Sequence, residues 1–174
     1  MSAPEFSRTV RIDTLGAGPR TVSIDADEAE REALVRRFGF VSLSALSAEV
    51  ALARRGGTVT ASGTLRAVLA QSCVATGEPV EETVAENFEI EFRPHPETAA
   101  EEEIELGTSE LDVVFYDGAA VDIGEAVAET LSLGVEPYPR SPAAEEALRE
   151  AGVKSEEEAR EESSPFASLK GKIG

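Results

Sequence analysis

The residues able to do chemistry are few. The chain has one histidine, His95, and one cysteine, Cys73. A zinc site needs several nitrogen or sulfur ligands held close together. His95 lies between Pro94 and Pro96 with no cysteine nearby, so it reads as a surface residue. Cys73 would need an activating base to act as a nucleophile, and His95 is the one histidine that could serve. The thiol therefore reads as buried or resting. The glycines cradle no phosphate: "GGTVTASGT" lacks the P-loop lysine, and "LGAGPRT" places Thr21 where a third glycine is wanted. Glu101–Glu103 lacks the spaced oxygens and glycine of a calcium loop. Catalysis is not indicated, and neither a cofactor nor a metal is expected.

The elements that would position such groups can be read from periodicity. "RTVRIDTLGAGPRTVSID" reads as two short strands around Gly16, Gly18 and Pro19. "DADEAEREALVRRFGF" reads as a helix capped by Asp25, with Glu28 in capping-box register and Gly39 closing it. From Phe40 to Cys73 two long strands flank the turn signal Arg55-Gly56-Gly57. The apolar parity of the first slips near Leu46, which predicts a bulge there. In "PVEETVAENFEIEFRP", Val80, Val84, Phe88, Ile90 and Phe92 fall on even positions. Most glutamates fall on odd ones, although Glu82 and Glu86 break the rule. Period two buries one set and shows the other to water. "LDVVFYDG" reads as a further strand. "VDIGEAVAETLSLGVEPYP" reads as a helix with Asp122 as N-cap, Glu125 at the capping-box position and Gly134 as C-cap, stopped by Pro137 and Pro139. The expected architecture is α+β. Five or six mostly antiparallel strands form a curved sheet or partly closed barrel, with helices at about 26–38 and 122–133 packed on it. Residues 1–142 are expected as one domain, 143–164 as an acidic weak helix and linker, and 165–174 as a C-terminal motif.

Charge narrows the partners. The net charge is −18 over 174 residues, and residues 78–125 hold sixteen acids against one arginine. That excludes a generally phosphate-coating surface. It suits a solvated acidic face or a docking surface for a basic protein. Arg31, Arg36, Arg37, Arg54, Arg55 and Arg66 offer a mildly basic counter-patch or ordinary solvated arginines. One cysteine forms no internal disulfide, which points to a reducing compartment. There is no secretory signal pattern and no run near ~18 apolar residues, so a cytoplasmic protein without a membrane span is expected.

Four landmarks occur in order: "CVATGEPVEETVAENFEIEF", "YDGAAVDIGEAVAETLSLGVEPYP", an acidic spacer, and "PFASLKGKI" at the C-terminus. This series resembles the bacterial YceD family, the large ribosomal RNA subunit accumulation proteins. Asp122, Gly124, Val127, Glu129, Leu131 and Leu133 match its helix pattern, with Ile123 in place of the usual leucine. Pro137 and Pro139 stand closer together than the family's proline pair. Pro165, Phe166, Ala167 and Leu169 match its terminal motif. Many members carry a second cysteine where Thr76 stands here, so any metal or redox chemistry that belongs to the two-cysteine members is not expected to carry over.

The resemblance implies a cytoplasmic, non-enzymatic factor for synthesis, processing or stability of 23S ribosomal RNA. Its partner would be large-subunit ribosomal RNA or an assembly intermediate, reached mainly through protein contacts. The alternative is an acidic chaperone or scaffold that shields a basic ribosomal protein. Candidate partner-binding residues are Asp122, Gly124, Glu129, Pro137, Pro139, Pro165, Phe166, Leu169 and Lys170. In the last ten residues Phe166, Leu169 and Ile173 share one helical face, with Lys170 and Lys172 beside it. That segment is expected either to seal the edge of its own sheet or to dock in a partner's groove.

Overall fold

The computed structural model describes residues 4–16, 18–95 and 112–154. Its elements are β1 (Thr9–Arg11), β2 (Arg20–Asp25), α1 (Glu28–Phe38), β3 (Ser42–Arg55), β4 (Thr58–Ser72), β5 (Pro79–Pro94), β6 (Asp112–Tyr116), β7 (Ala120–Asp122), α2 (Ile123–Gly134) and α3 (Ala144–Glu150). The described residues fall into two compact units. One runs up to Gln71 and resumes from Glu81 to Pro137; the other joins Ser72–Val80 to the residues from Tyr138 on.

The first unit is built on a five-stranded sheet in the order β2-β3-β4-β5-β6. The long alternation of aliphatic and small polar residues makes β3 and β4, which pair antiparallel around the Gly56-Gly57 turn. β2 joins β3 antiparallel. β6 lies parallel to β5, with Phe92 opposite Val114. The sheet is therefore mixed and open, not closed into a barrel. The parallel pair runs from Ile90 opposite Asp112 to Pro94 opposite Tyr116, so β6 lies along the last five residues of β5.

Period two in β5 buries Val84, Ile90 and Phe92 and leaves Glu81 and Glu89 exposed. The same face of β3 and β4 buries Val50, Leu52, Val59, Ala61 and Leu65. Against them pack Leu34 of α1 and Ile123, Val127 and Leu131 of α2. Burying each such side chain stabilises the fold by about 1.5–3 kcal/mol.

Several local expectations shift. The segments around Gly16 and Gly18 do not pair with each other: β1 pairs with β7 and β2 with β3. α1 begins two residues later than expected, because β2 runs through Asp25 and Ala26 then donates to the Leu46 carbonyl. Asp27 is the N-cap, and it exchanges hydrogen bonds with Glu30 in a capping box. Glu30, which interrupts the apolar stripe of Ala26, Ala29, Ala33, Leu34 and Phe38, is thus a capping residue. Gly39 closes the helix as expected, at φ 72°. The bulge falls at Ser44: Leu43 pairs with Leu69 and Ala45 with Val68. Ser44 turns its hydroxyl to the Val68 carbonyl.

α2 is capped by Asp122 as expected, but Glu125 is ion-paired to Arg37. Gly134 ends the helix without a left-handed turn, and Val135 follows in extended conformation. A Cβ at Gly134 would lie 2.9 Å from Glu86 Cγ, so glycine makes room for the β5 side chain there. Among the described residues no helix is long and apolar enough to cross a membrane.

Candidate functional site

Asp122 ends β7 and starts α2. Its Oδ1 accepts from the backbone N–H of Gly124 at 3.0 Å and Glu125 at 3.2 Å, which caps the helix. The same oxygen accepts from the Arg8 N–H at 2.8 Å, and Oδ2 accepts from the Ser7 hydroxyl at 2.5 Å. The Ile123 N–H donates to the Arg8 carbonyl at 3.1 Å. A Cβ on Gly124 would stand 2.7 Å from both Arg8 N and Phe6 O, so only glycine lets the N-terminal backbone cross the helix so closely. Phe6 is then fully buried. Asp122 and Gly124 thus form a clasp that holds residues 6–8 against the start of α2.

Charge completes the clasp. The Arg8 guanidinium donates to both carboxylate oxygens of Glu30, at 2.6 and 2.9 Å, and to the Asp25 carbonyl. Two parallel bonds of this kind are stronger than neutral ones. The hydrogen bond from Arg8 holds the Glu30 carboxyl below its usual range, against the opposing effect of burial. Arg37 on α1 bridges Glu5 and Glu125. Its pKa rises, first through the hydrogen bond to Glu125.

The rest of α2 divides by face. Ile123, Ala126, Val127, Ala128 and Leu131 point inward, while Glu129 is exposed and Leu133 is 82% exposed. Glu129 and Leu133 are four residues apart and so neighbours on the solvent side. A nearly bare leucine beside a carboxylate can insert into an apolar socket rimmed by basic groups. Beyond the helix, Glu82 Oε1 accepts the Glu136 N–H at 3.0 Å. Gln71 bridges Glu82 Oε2 and the Glu136 carbonyl. This explains why Glu82 breaks the alternation: it fixes the chain leaving α2. Pro137 is exposed just past that point.

In the second unit Cys73 is buried, at 3% exposure. Its loop is closed by Cys73 N–H to the Glu78 carbonyl and Gly77 N–H to the Cys73 carbonyl. The Ser141 N–H donates to Sγ at 3.2 Å. Thr76 and Ser141 hydroxyls meet at 3.2 Å, and both reach Glu78 Oε2. Pro139 is buried and accepts from the Val74 N–H. The Ser141 N–H, and after it the Thr76 hydroxyl, pull the thiol down to about 6 despite desolvation. The Ser141 backbone N–H is thus the main donor to the sulfur, with the two hydroxyls and Glu78 beside it. Among the described residues no group of three or more histidines, cysteines or carboxylates could hold a metal.

The expected partner-binding residues that the structure describes take different roles. Asp122 and Gly124 face inward, Glu129 and Pro137 are exposed on the first unit, and Pro139 is buried in the second. Pro165, Phe166, Leu169 and Lys170 lie outside the described residues. Sequence reasoning missed the exposure of Leu133, although a signal was there. With Ile123, Val127 and Leu131 inside, Leu133 lies about 200° round the helix from Leu131 and must face out. The Ser141 contact to Cys73 spans 68 positions and left no local trace.

A family model described as "Large ribosomal RNA subunit accumulation protein YceD" matches residues 61–171. No curated protein and no solved structure matches the chain. The match includes β5, the clasp residues of α2 and the segment around Cys73. The chain belongs to the YceD family of large ribosomal RNA subunit accumulation proteins.

Proposed function

We propose that this chain is a non-enzymatic factor that supports synthesis, processing or stability of 23S ribosomal RNA, docking on a large-subunit assembly intermediate mainly through protein contacts. The match to a family of large ribosomal RNA subunit accumulation proteins carries the reading. The docking side is the outer face of α2. The family-like helix pattern contains two residues with no packing role, Glu129 and Leu133, and both are exposed. Asp122 and Gly124 act indirectly by fixing that helix. Pro137 flanks the face, and the terminal Pro165, Phe166, Leu169 and Lys170 supply a second contact as a linear motif. The compartment is the cytoplasm.

The test is gradient sedimentation of cell extract. The wild-type chain migrates with precursor large subunits, and Leu133→Ser releases it without changing its unfolding midpoint. Migration of the wild type as free protein alone, with normal 23S levels after depletion, overturns the proposal.

The sixteen acids of residues 78–125 favour a second reading, an acidic chaperone for one basic ribosomal protein. That reading requires salt-sensitive binding to the protein and no binding to RNA, because salt screens exposed charge pairs beyond about 8–10 Å.

A further inference from the structure

The sheet face turned away from the helices is polar and mostly made of small side chains, but one end of it is different. In β3 and β4, Arg55 pairs with Thr58 and Ala53 with Thr60. Thr64 Oγ1 donates to Asn87 Oδ1 at 2.8 Å. A Cβ on Gly57 would meet the Pro94 ring at 3.4 Å. These two contacts run β4 and β5 in opposite directions and set Thr58 beside Arg93. Arg93 in turn pairs with Phe115 of β6. Arg55, Thr58, Arg93 and Phe115 therefore form one row across four strands, on the outer face, next to the β3–β4 turn.

That row has the components of a stacking platform. Phe115 is 44% exposed. The His95 ring lies against it, with centroids 5.3 Å apart and planes tilted by 36°. Arg55 is exposed and makes no ion pair among the described residues. Arg93 is held by Glu91 at 2.7 Å, and its side chain remains 39% exposed. Ala53 and Thr60 in the next row leave the surface low enough for a flat ring to lie on it. The turn behind the row is braced, because Tyr116 Oη donates to the Gly57 carbonyl at 2.5 Å. The rest of this face is unlike it. Asp25, Glu49 and Glu89 lie further along with one arginine, Arg66, so the balance of charge favours an anion at this end.

We infer that this end of the outer sheet face binds a short single-stranded RNA segment, with a base stacked on the Phe115–His95 pair and its phosphates held by Arg55 and Arg93. Unpaired bases stack on exposed aromatic rings and guanidinium planes of a sheet, while a duplex hides the same faces. Glu91 is the built-in competitor, since it occupies the Arg93 guanidinium that a phosphate would take. This goes beyond the ribosomal reading and is tested apart from it, on the isolated chain.

The experiment is fluorescence anisotropy of the full-length chain with a fluorescein-labelled single-stranded RNA decamer at low salt. Phe115→Ala weakens binding by about tenfold, the scale of one lost base stack. Arg55→Glu weakens it as well. Glu91→Gln tightens it, a gain that misfolding cannot imitate. With two phosphate contacts on a single strand, affinity falls about sevenfold between 50 and 200 mM salt. The same sequence presented as duplex does not compete. The inference is overturned if the wild type fails to bind the decamer at 50 mM salt, if Phe115→Ala and Glu91→Gln both leave affinity unchanged, or if duplex binds equally well.

Discussion

Asp122→Ala is expected to destabilise the first unit more than loss of an ordinary helix cap. The carboxylate accepts four hydrogen bonds, from the N–H groups of Gly124, Glu125 and Arg8 and from the Ser7 hydroxyl. Losing an N-cap alone costs about 1 kcal/mol. The Arg8 N–H and Ser7 hydroxyl lose their acceptor in a part-buried position, and stranding donors of that kind costs about 1–3 kcal/mol. The sum is about 2–4 kcal/mol. With a urea slope of about 2 kcal/mol/M, the unfolding midpoint falls by about 1–2 M. Asp122→Asn separates the two parts. Asparagine caps helices as well as aspartate does. Its amide oxygen still accepts from Arg8, and the Ser7 hydroxyl can rotate to accept from the amide nitrogen. Asp122→Asn should therefore cost less than half of Asp122→Ala. The assay is urea unfolding followed by circular dichroism, with amide exchange at Arg8 and Ile123 as a local readout. A midpoint loss under 0.5 M for Asp122→Ala, or equal damage from both substitutions, refutes the clasp.

Two further predictions follow from the same structure. Gly124→Ala should destabilise, although alanine is favoured over glycine by about 0.5–1 kcal/mol inside helices. Its Cβ meets backbone atoms at 2.7 Å, and overpacking of this kind costs about 1–3 kcal/mol. A melting temperature above wild type would contradict the close crossing. The Cys73 thiol is lowered to about 6 in the folded chain, first by the Ser141 N–H. The unfolded thiol titrates near its ordinary value of about 8.5. A depressed folded pKa stabilises the native state above the unfolded value, and that stability is lost as pH falls toward 6. Relative to Cys73→Ala, the wild type should therefore gain stability between about pH 6 and pH 8.5, tracked by urea midpoints and thiolate absorbance. Parallel pH profiles for the two proteins would contradict it.

Period was the most legible part of the fold. The β5 alternation and the Ile123–Val127–Leu131 stripe each place a buried face correctly, because side-chain direction in a strand or helix follows from residue number alone. Strand partners were less legible. β1 and β2 carry turn residues between them and still pair elsewhere, since hydrogen-bond partners at long separation depend on what the rest of the chain offers. The exceptions to pattern proved informative. Glu30 and Glu82 interrupt apolar runs, and each carboxylate has a backbone N–H to hold. The site was legible as residue types but not as roles. Asp122 and Gly124 stand out in the sequence, yet their partners are Phe6, Ser7 and Arg8, more than 110 positions away.

That long reach bears on how the matched region stands in the molecule. The match begins at Ala61, inside β4. Before it lie β2 and β3, which complete one side of the sheet, and α1, which contributes Leu34 to the core. Phe6, Ser7 and Arg8 also precede it, and these are the residues that Asp122 and Gly124 grip. A matched segment taken alone would leave one edge of β4 without its β3 partner and Asp122 without the Ser7 and Arg8 donors of the clasp. The first 60 residues therefore belong to the same folding unit as α2. The bare face of α2, with Glu129 and Leu133, is held in place by a segment that the family pattern does not describe.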